Sequence, residues 1–318
     1  MIEYFPRLYK PIQFPLRWGI IGLGRAGKSK LKALNTLGTD LALIQATASR
    51  RGSIEQVYSN EFLNSLSSQH PCYEWSVDEI LTSSDIDAVA ICSENELHAS
   101  QTHSALMAGK HVLVDFPLCT HQDQIQSLYD LSQSKNCLLH LEIIGLLTPK
   151  FKLWAAHHQK DPICKWESIF NGGSYRWIQD EIKAQRCVHL AFSRLYQLYT
   201  LFDSLELQDV QFQQNSLNEY SLKLSFDAFL SNQSILPPSQ ILLNETRGPG
   251  LKRSLTQRAY THSGTSLHTL SVPPLKDSLF VQDLMLFYQC LNKNTSTLNL
   301  NHLLKTYKMI HFIEDQII

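Results

Sequence analysis

Glycines at 22, 24 and 27, in "GLGRAG", stand between a short apolar run, "RWGII", and a helix-like run, "KSKLKAL". A Gly-x-Gly-x-x-Gly turn that leaves a strand and opens a helix is the arrangement a dinucleotide pyrophosphate needs. Gly22 permits the tight turn, Gly24 lets the backbone approach the phosphates, and Gly27 allows close helix–strand packing. Arg25 and Ala26 complete the loop, and the helix start offers its N–H groups to the anion. An ordinary turn also gathers glycines; the strand–turn–helix context favours the nucleotide. Roughly 20 residues beyond the loop an NAD site usually carries an acid for the ribose hydroxyls. Here "ASRRGS" supplies Ser49, Arg50 and Arg51 and no carboxylate. Guanidinium groups bind phosphate bidentately, so this end suits the 2′-phosphate of NADPH, with NADH the weaker partner. The structural alternative is a solvated arginine pair.

Such a loop needs a sheet behind it. Apolar runs at 17–22, 41–49, 85–93, 111–117 and 136–143 alternate with helical patterns at 96–109 and 122–135. Short, nearly continuous apolar strands separated by helices imply a parallel sheet covered on both faces. The ends of the third and fourth of these runs should border the nicotinamide or its ribose, which brings in Cys92, Ser93, Glu94, His98, Asp115 and Phe116. Beyond residue 150 the pattern changes to longer strand-like segments, 209–230, 240–246 and 258–272, with a helical region from 278 onward. These predict an α+β domain on a mostly antiparallel open sheet. Thr148 and Pro149 interrupt the apolar run between the two patterns, so the expected domains are 1–148, a Rossmann fold, and 149–318.

The 28 basic and 29 acidic side chains nearly cancel and form no basic stripe, which argues against nucleic acid or an anionic membrane as partner. The N-terminal stretch lacks the pattern of a signal peptide, and no apolar run has the length of a membrane helix. Seven scattered cysteines without a C-x-x-C pair read as free thiols in a reducing, cytoplasmic compartment. His157 and His158 have no acidic or cysteine partner at ligand spacing and read as a surface pair, and no metal is indicated.

These stretches resemble the Gfo/Idh/MocA oxidoreductases, which join a Rossmann domain to a C-terminal α+β domain. That family usually reads Gly-Lys-His-Val and then Glu-Lys-Pro; here "AGKHVLVDFP" matches the first part and carries Asp115-Phe116-Pro117 in place of the second. Sugar-oxidising members also carry an Asp-x-x-x-His pair, where this chain has His189 and Ser193. The biliverdin reductase branch departs from the family at the same lysine. "SRRGSI", "ICSEN", "LLHLEIIGLL", "SRLYQLYTLFD", "GPGLKR" and "FVQDLMLF" resemble that branch in the same order, although Phe116, Ile143 and Gly145 depart from it too.

The resemblance implies hydride transfer from a reduced nicotinamide to the central methine carbon of biliverdin, with a proton going to a pyrrole nitrogen. It makes Arg194 the first catalytic and substrate-binding candidate, on a helix facing the cofactor. An arginine keeps its proton, so its expected part is to orient a water or a propionate and stabilise charge. Glu142, at the end of the fifth strand, is the second catalytic candidate. Lys252 and Arg253, with Arg247, form a basic group for the bilin propionates. Each has a structural alternative: a surface ion pair for Arg194, a backbone cap for Glu142 and His98, solvation for the loop cations. Other functions left open are a sugar oxidoreductase, a bilin carrier and a non-catalytic dinucleotide-binding protein.

Overall fold

The computed structural model describes residues 3–50, 52–66, 73–216, 218–231 and 236–317. Strand β1, Leu16–Ile21, is almost wholly buried and leads through the glycine turn into helix α1, Arg25–Leu37. Then come β2 (Ala42–Ala48), β3 (Tyr73–Glu74), β4 (Ala88–Ile91), α2 (Asn95–Met107), β5 (His111–Val114), α3 (Asp123–Ser134) and β6 (Leu139–Leu141). The spatial order is β3-β2-β1-β4-β5-β6, with every pairing parallel. That is the Rossmann order. The residues of β4 and β5, "AVAI" and "HVLV", are all buried. A strand covered on both faces has no polar side to show, so its sequence is a run and not an alternation.

Thr148 starts a helix where a break was expected: its hydroxyl accepts from the Phe151 N–H, with Pro149 in the first turn. This is α4, Pro149–His158. Next come β7 (Ile163–Gly172), α5 (Phe192–Tyr199), β8 (Ser204–Ser216), β9 (Glu219–Phe229), β10 (Ser239–Arg247) and β11 (Ser254–Thr261). Two helices close the chain, α6 (Leu279–Lys293) and α7 (Leu300–Ile317). The second sheet is ordered β11-β7-β10-β9-β8. Three of its pairings are antiparallel, while β7 and β10 run parallel, which makes the sheet open and mixed. The expected strand at 258–272 stops at Thr261, and a short 3₁₀ turn, Leu267–Thr269, follows it.

The chain divides into two units, one of Ile2–Leu147 with Leu275–Leu300, the other of Thr148–Pro274 with Asn301–Ile318. Helix α6 therefore packs with the parallel sheet, whereas a single cut after residue 148 assigns it to the other half. Its partners explain this. Trp18 of β1 is fully buried, donates through Nε1 to the Tyr288 hydroxyl at 2.9 Å and lies 5.0 Å from the Phe287 ring. In the other unit Trp154 meets Trp166 edge to face at 5.6 Å, and Phe192 packs on Tyr307 at 5.3 Å. Among the described residues no helix is long and apolar enough to cross a membrane. The six described cysteines are free.

Candidate active site

The glycine turn has the form its spacing predicts. Gly22 adopts φ +94°, and a Cβ there would stand 2.3 Å from the Cys92 carbonyl oxygen. A Cβ on Gly27 would stand 2.0 Å from the Gly22 oxygen, so both positions need glycine for lack of room. Gly24 is different, with no atom within 4 Å of where its Cβ would be. It is also the N-cap of α1, has no side-chain cap, and the first turn contains no acid. An open backbone face at an uncapped helix start, with no carboxylate to repel an anion, fits a pyrophosphate.

Around that turn the expected residues divide into exposed and buried sets. Arg50 is exposed and ion-paired to Glu94, another expected cofactor residue. Surface pairs of this kind are weak, so the guanidinium can exchange a carboxylate for a phosphate. Ser49 is half-buried beside it; Arg51 lies outside the described residues. Ser93 donates its hydroxyl to Gln101 at 2.6 Å. The rings of His98 and the loop are tied together: Nδ1 faces the Pro117 carbonyl at 2.7 Å and Nε2 the Ser93 carbonyl at 3.1 Å. His98 thus fastens the end of β4 to the turn after β5. Cys92 is buried, which pushes its thiol up to about 12 and makes it an apolar filler. Asp115 accepts from the Phe116 N–H at 3.1 Å. Burial holds its carboxyl above the usual range, with Lys30 and His98 opposing.

Glu142 is only 2% exposed and its carboxylate is bonded to the fully buried Lys30 of α1. Lys30 also lies 3.5 Å from Asp283 of α6, which pairs with His140 of β6 at 3.0 Å. Burial disfavours the His140 imidazolium, but the charge and hydrogen bond of Asp283 outweigh it and raise the pKa to about 9. Two cations, Lys30 and His140, then face two anions, Glu142 and Asp283, and the buried set is neutral. Lys30 and Asp283 escaped sequence reasoning. The available signal was a lysine in register with Gly27, Leu31 and Leu34 on the buried face of α1.

In the other unit Arg194 is 9% exposed, not a surface residue. It bonds Glu245 of β10, and Arg247 Nε donates to the same carboxylate at 2.7 Å. The Tyr220 hydroxyl donates to it at 3.1 Å. The Phe170 ring lies beneath both arginines, 5.3 Å from the Arg194 guanidinium carbon and 4.3 Å from that of Arg247. Burial, then the charge of Arg247, lowers Arg194 to about 10, which leaves it protonated at neutral pH. Its Nε has no partner among the described residues. Two cations against one anion leave a surplus positive charge. Lys252 and Arg253 follow on the exposed loop after β10. His158, read as a surface residue, is buried, with its ring between the Leu201 carbonyl at 2.9 Å and the Ile163 N–H at 3.0 Å.

The parallel sheet and the uncapped glycine turn define a Rossmann domain, and residues 16–143 match the family model for oxidoreductases with an NAD-binding Rossmann fold, GFO_IDH_MocA. That match lies within the N-terminal part of the chain. The chain is 27% identical to biliverdin reductase A of Homo sapiens over 277 residues, covering 85% of this chain and 84% of that protein. Among solved structures it is similar to a biliverdin reductase from Synechocystis sp. PCC 6803, in complex with biliverdin and NADP+. The TM-score is 0.72 at 19% identity, over 95% of this chain and 98% of that one. It is also similar to scyllo-inositol dehydrogenase from Lactobacillus casei, with bound NAD(H) and scyllo-inositol, at TM-score 0.69 and 15% identity, over 94% and 96%. Likeness to these two solved structures is a likeness of fold.

Proposed function

We propose that this chain is an NADPH-dependent biliverdin reductase, converting biliverdin to bilirubin. The observation that carries the reading is the pair of buried guanidiniums, Arg194 and Arg247, sharing the single carboxylate of Glu245. A surplus cation with little water around it calls for a further anion, and biliverdin brings two propionates. Arg194 directs an N–H toward a propionate or an ordered water and favours the protonated state of the pyrrole nitrogen. With a pKa of about 10 it holds its own proton while doing so. Lys252 and Arg253, on the exposed loop after β10, serve the second propionate. Gly22, Gly24, Arg25, Ala26 and Gly27 hold the dinucleotide, which supplies the hydride. Ser49, Arg50 and Arg51 receive its 2′-phosphate; Cys92, Ser93, Glu94, His98, Asp115 and Phe116 border it on the other side. Glu142 contributes by fixing Lys30 of α1, the helix that the glycine turn opens. A sugar substrate is disfavoured by Phe116, His189 and Ser193, which replace the lysine and the Asp–His pair that such chemistry uses.

The test mixes the purified protein with biliverdin and follows the visible spectrum. Green gives way to yellow, faster with NADPH than with NADH. A bilin that binds without changing colour in either cofactor makes the chain a carrier and overturns the proposal.

A further inference from the structure

Tyr58 approaches the glycine turn from the segment that follows Ser49 and Arg50. It ends the one-turn helix Ile54–Val57, which begins at a capping box made by Ser53 and Gln56. Its hydroxyl lies 3.0 Å from the Leu23 carbonyl oxygen and 3.3 Å from that of Gly24, and donates to both in a three-centre bond. The ring that carries it is buried and held in place. Phe62 meets this ring edge to face at 4.8 Å, and the Lys28 ammonium of α1 lies 5.4 Å from its centre. In a trans peptide the C=O and the following N–H point in opposite directions. Carbonyls of Leu23 and Gly24 turned toward Tyr58 therefore send the Gly24 and Arg25 N–H groups away from the ring. Those amides belong to the N-cap and the first residue of α1, the groups that an anion at a helix start meets. Glycine at 24 is what makes the hold necessary. Without a Cβ its peptide planes are not fixed by their own sterics, and the N-cap has no side chain to steady them.

We infer that Tyr58 is a positioning residue of the dinucleotide site: its hydroxyl fixes the two peptides of Gly24 with their N–H groups turned to the pyrophosphate. The phenol acts through the turn and takes no part in the chemistry. Pyrophosphate is common to NADPH and NADH, so Tyr58 sets the affinity for both and not the choice between them. That separates it from Arg50, whose contact is with the 2′-phosphate. The inference rests on the proposed cofactor site and needs no bilin.

The experiment compares the full-length protein with Tyr58→Phe, which removes the hydroxyl and leaves the ring to pack. NADPH and NADH are titrated by their nicotinamide fluorescence, and ADP-ribose, which has the pyrophosphate but no nicotinamide, by calorimetry. All three dissociation constants rise by the same factor, about fivefold, as the loss of one hydrogen bond predicts. Unchanged affinity for all three overturns the inference, whatever happens to the urea midpoint, because the hydroxyl then serves the scaffold alone. A loss confined to NADPH also overturns it, by placing the phenol at the 2′-phosphate. Wild-type protein that takes up none of the three refutes the dinucleotide site itself, and this inference with it.

Discussion

Arg194 owes its chemistry to neighbours that lie far from it in the chain. Burial, Arg247 and Phe170 leave it charged but undersupplied with anions, whereas a solvated arginine would have water at every N–H. Arg194→Ala should therefore reduce turnover by roughly a hundredfold, the size of effect that a transition-state hydrogen-bond donor has, with NADPH affinity unchanged in a fluorescence titration. Unaltered turnover would remove Arg194 from the mechanism. Arg50 makes an independent prediction. Arg50→Ala should raise the KM for NADPH by about tenfold or more, as loss of a charge-assisted phosphate contact does, while the KM for NADH moves little. Equal changes in both would place the 2′-phosphate elsewhere. The glycine turn was legible in its residue types and spacing, whereas Arg194 became a candidate only through the resemblance to a family. Glu245, the carboxylate shared by the arginines, is an acid in an alternating strand like many others, and nothing local distinguishes it.

Helix α1 shows at the element scale why the buried ion cluster was not legible. An amphipathic pattern predicts an apolar residue at position 30, and the lysine is tolerated there only because Glu142 and Asp283 arrive from β6 and α6. Those partners are 112 and 253 residues away in sequence. Lys30→Met keeps much of the volume but strands Glu142 without a cation, and should cost about 3–5 kcal/mol in urea unfolding, the penalty of breaking a buried pair. The continuous apolar strands, by contrast, were readable to within three residues at each end, because burial on both faces needs no distant partner. Strand β7, "ICKWESIFNG", escaped notice because its alternation is interrupted by charges, and only its place between β10 and β11 makes it a central strand. Helix α6 was readable as a helix but not as a member of the first unit. A fragment of residues 1–148 should show weak near-UV circular dichroism, and adding a peptide of residues 275–300 should restore it. A fully folded fragment without the peptide would contradict the packing of Trp18 against α6.

For the whole molecule, the cluster around Asp283 sets a pH limit. The folded pKa of His140, about 9, lies above its ordinary value of 6.5. Its stabilisation is therefore complete below about pH 6.5 and is lost as pH rises through 9. The shift corresponds to something on the order of 3 kcal/mol. Urea midpoints should fall between these limits in the wild type, and much less in His140→Gln; parallel curves would assign the loss to other groups.

The division of the chain has a bearing on its biosynthesis. The Rossmann unit lacks α6 until residues 275–300 have been made, and the second unit lacks α7 until residues 301–318 have followed. A ribosome still translating this message holds two unfinished halves, each with an aromatic surface waiting for its last helix. Synthesis of α6, and not of residue 148, is the moment at which the Rossmann half can close, and translation broken off before that helix would leave both halves dependent on chaperones.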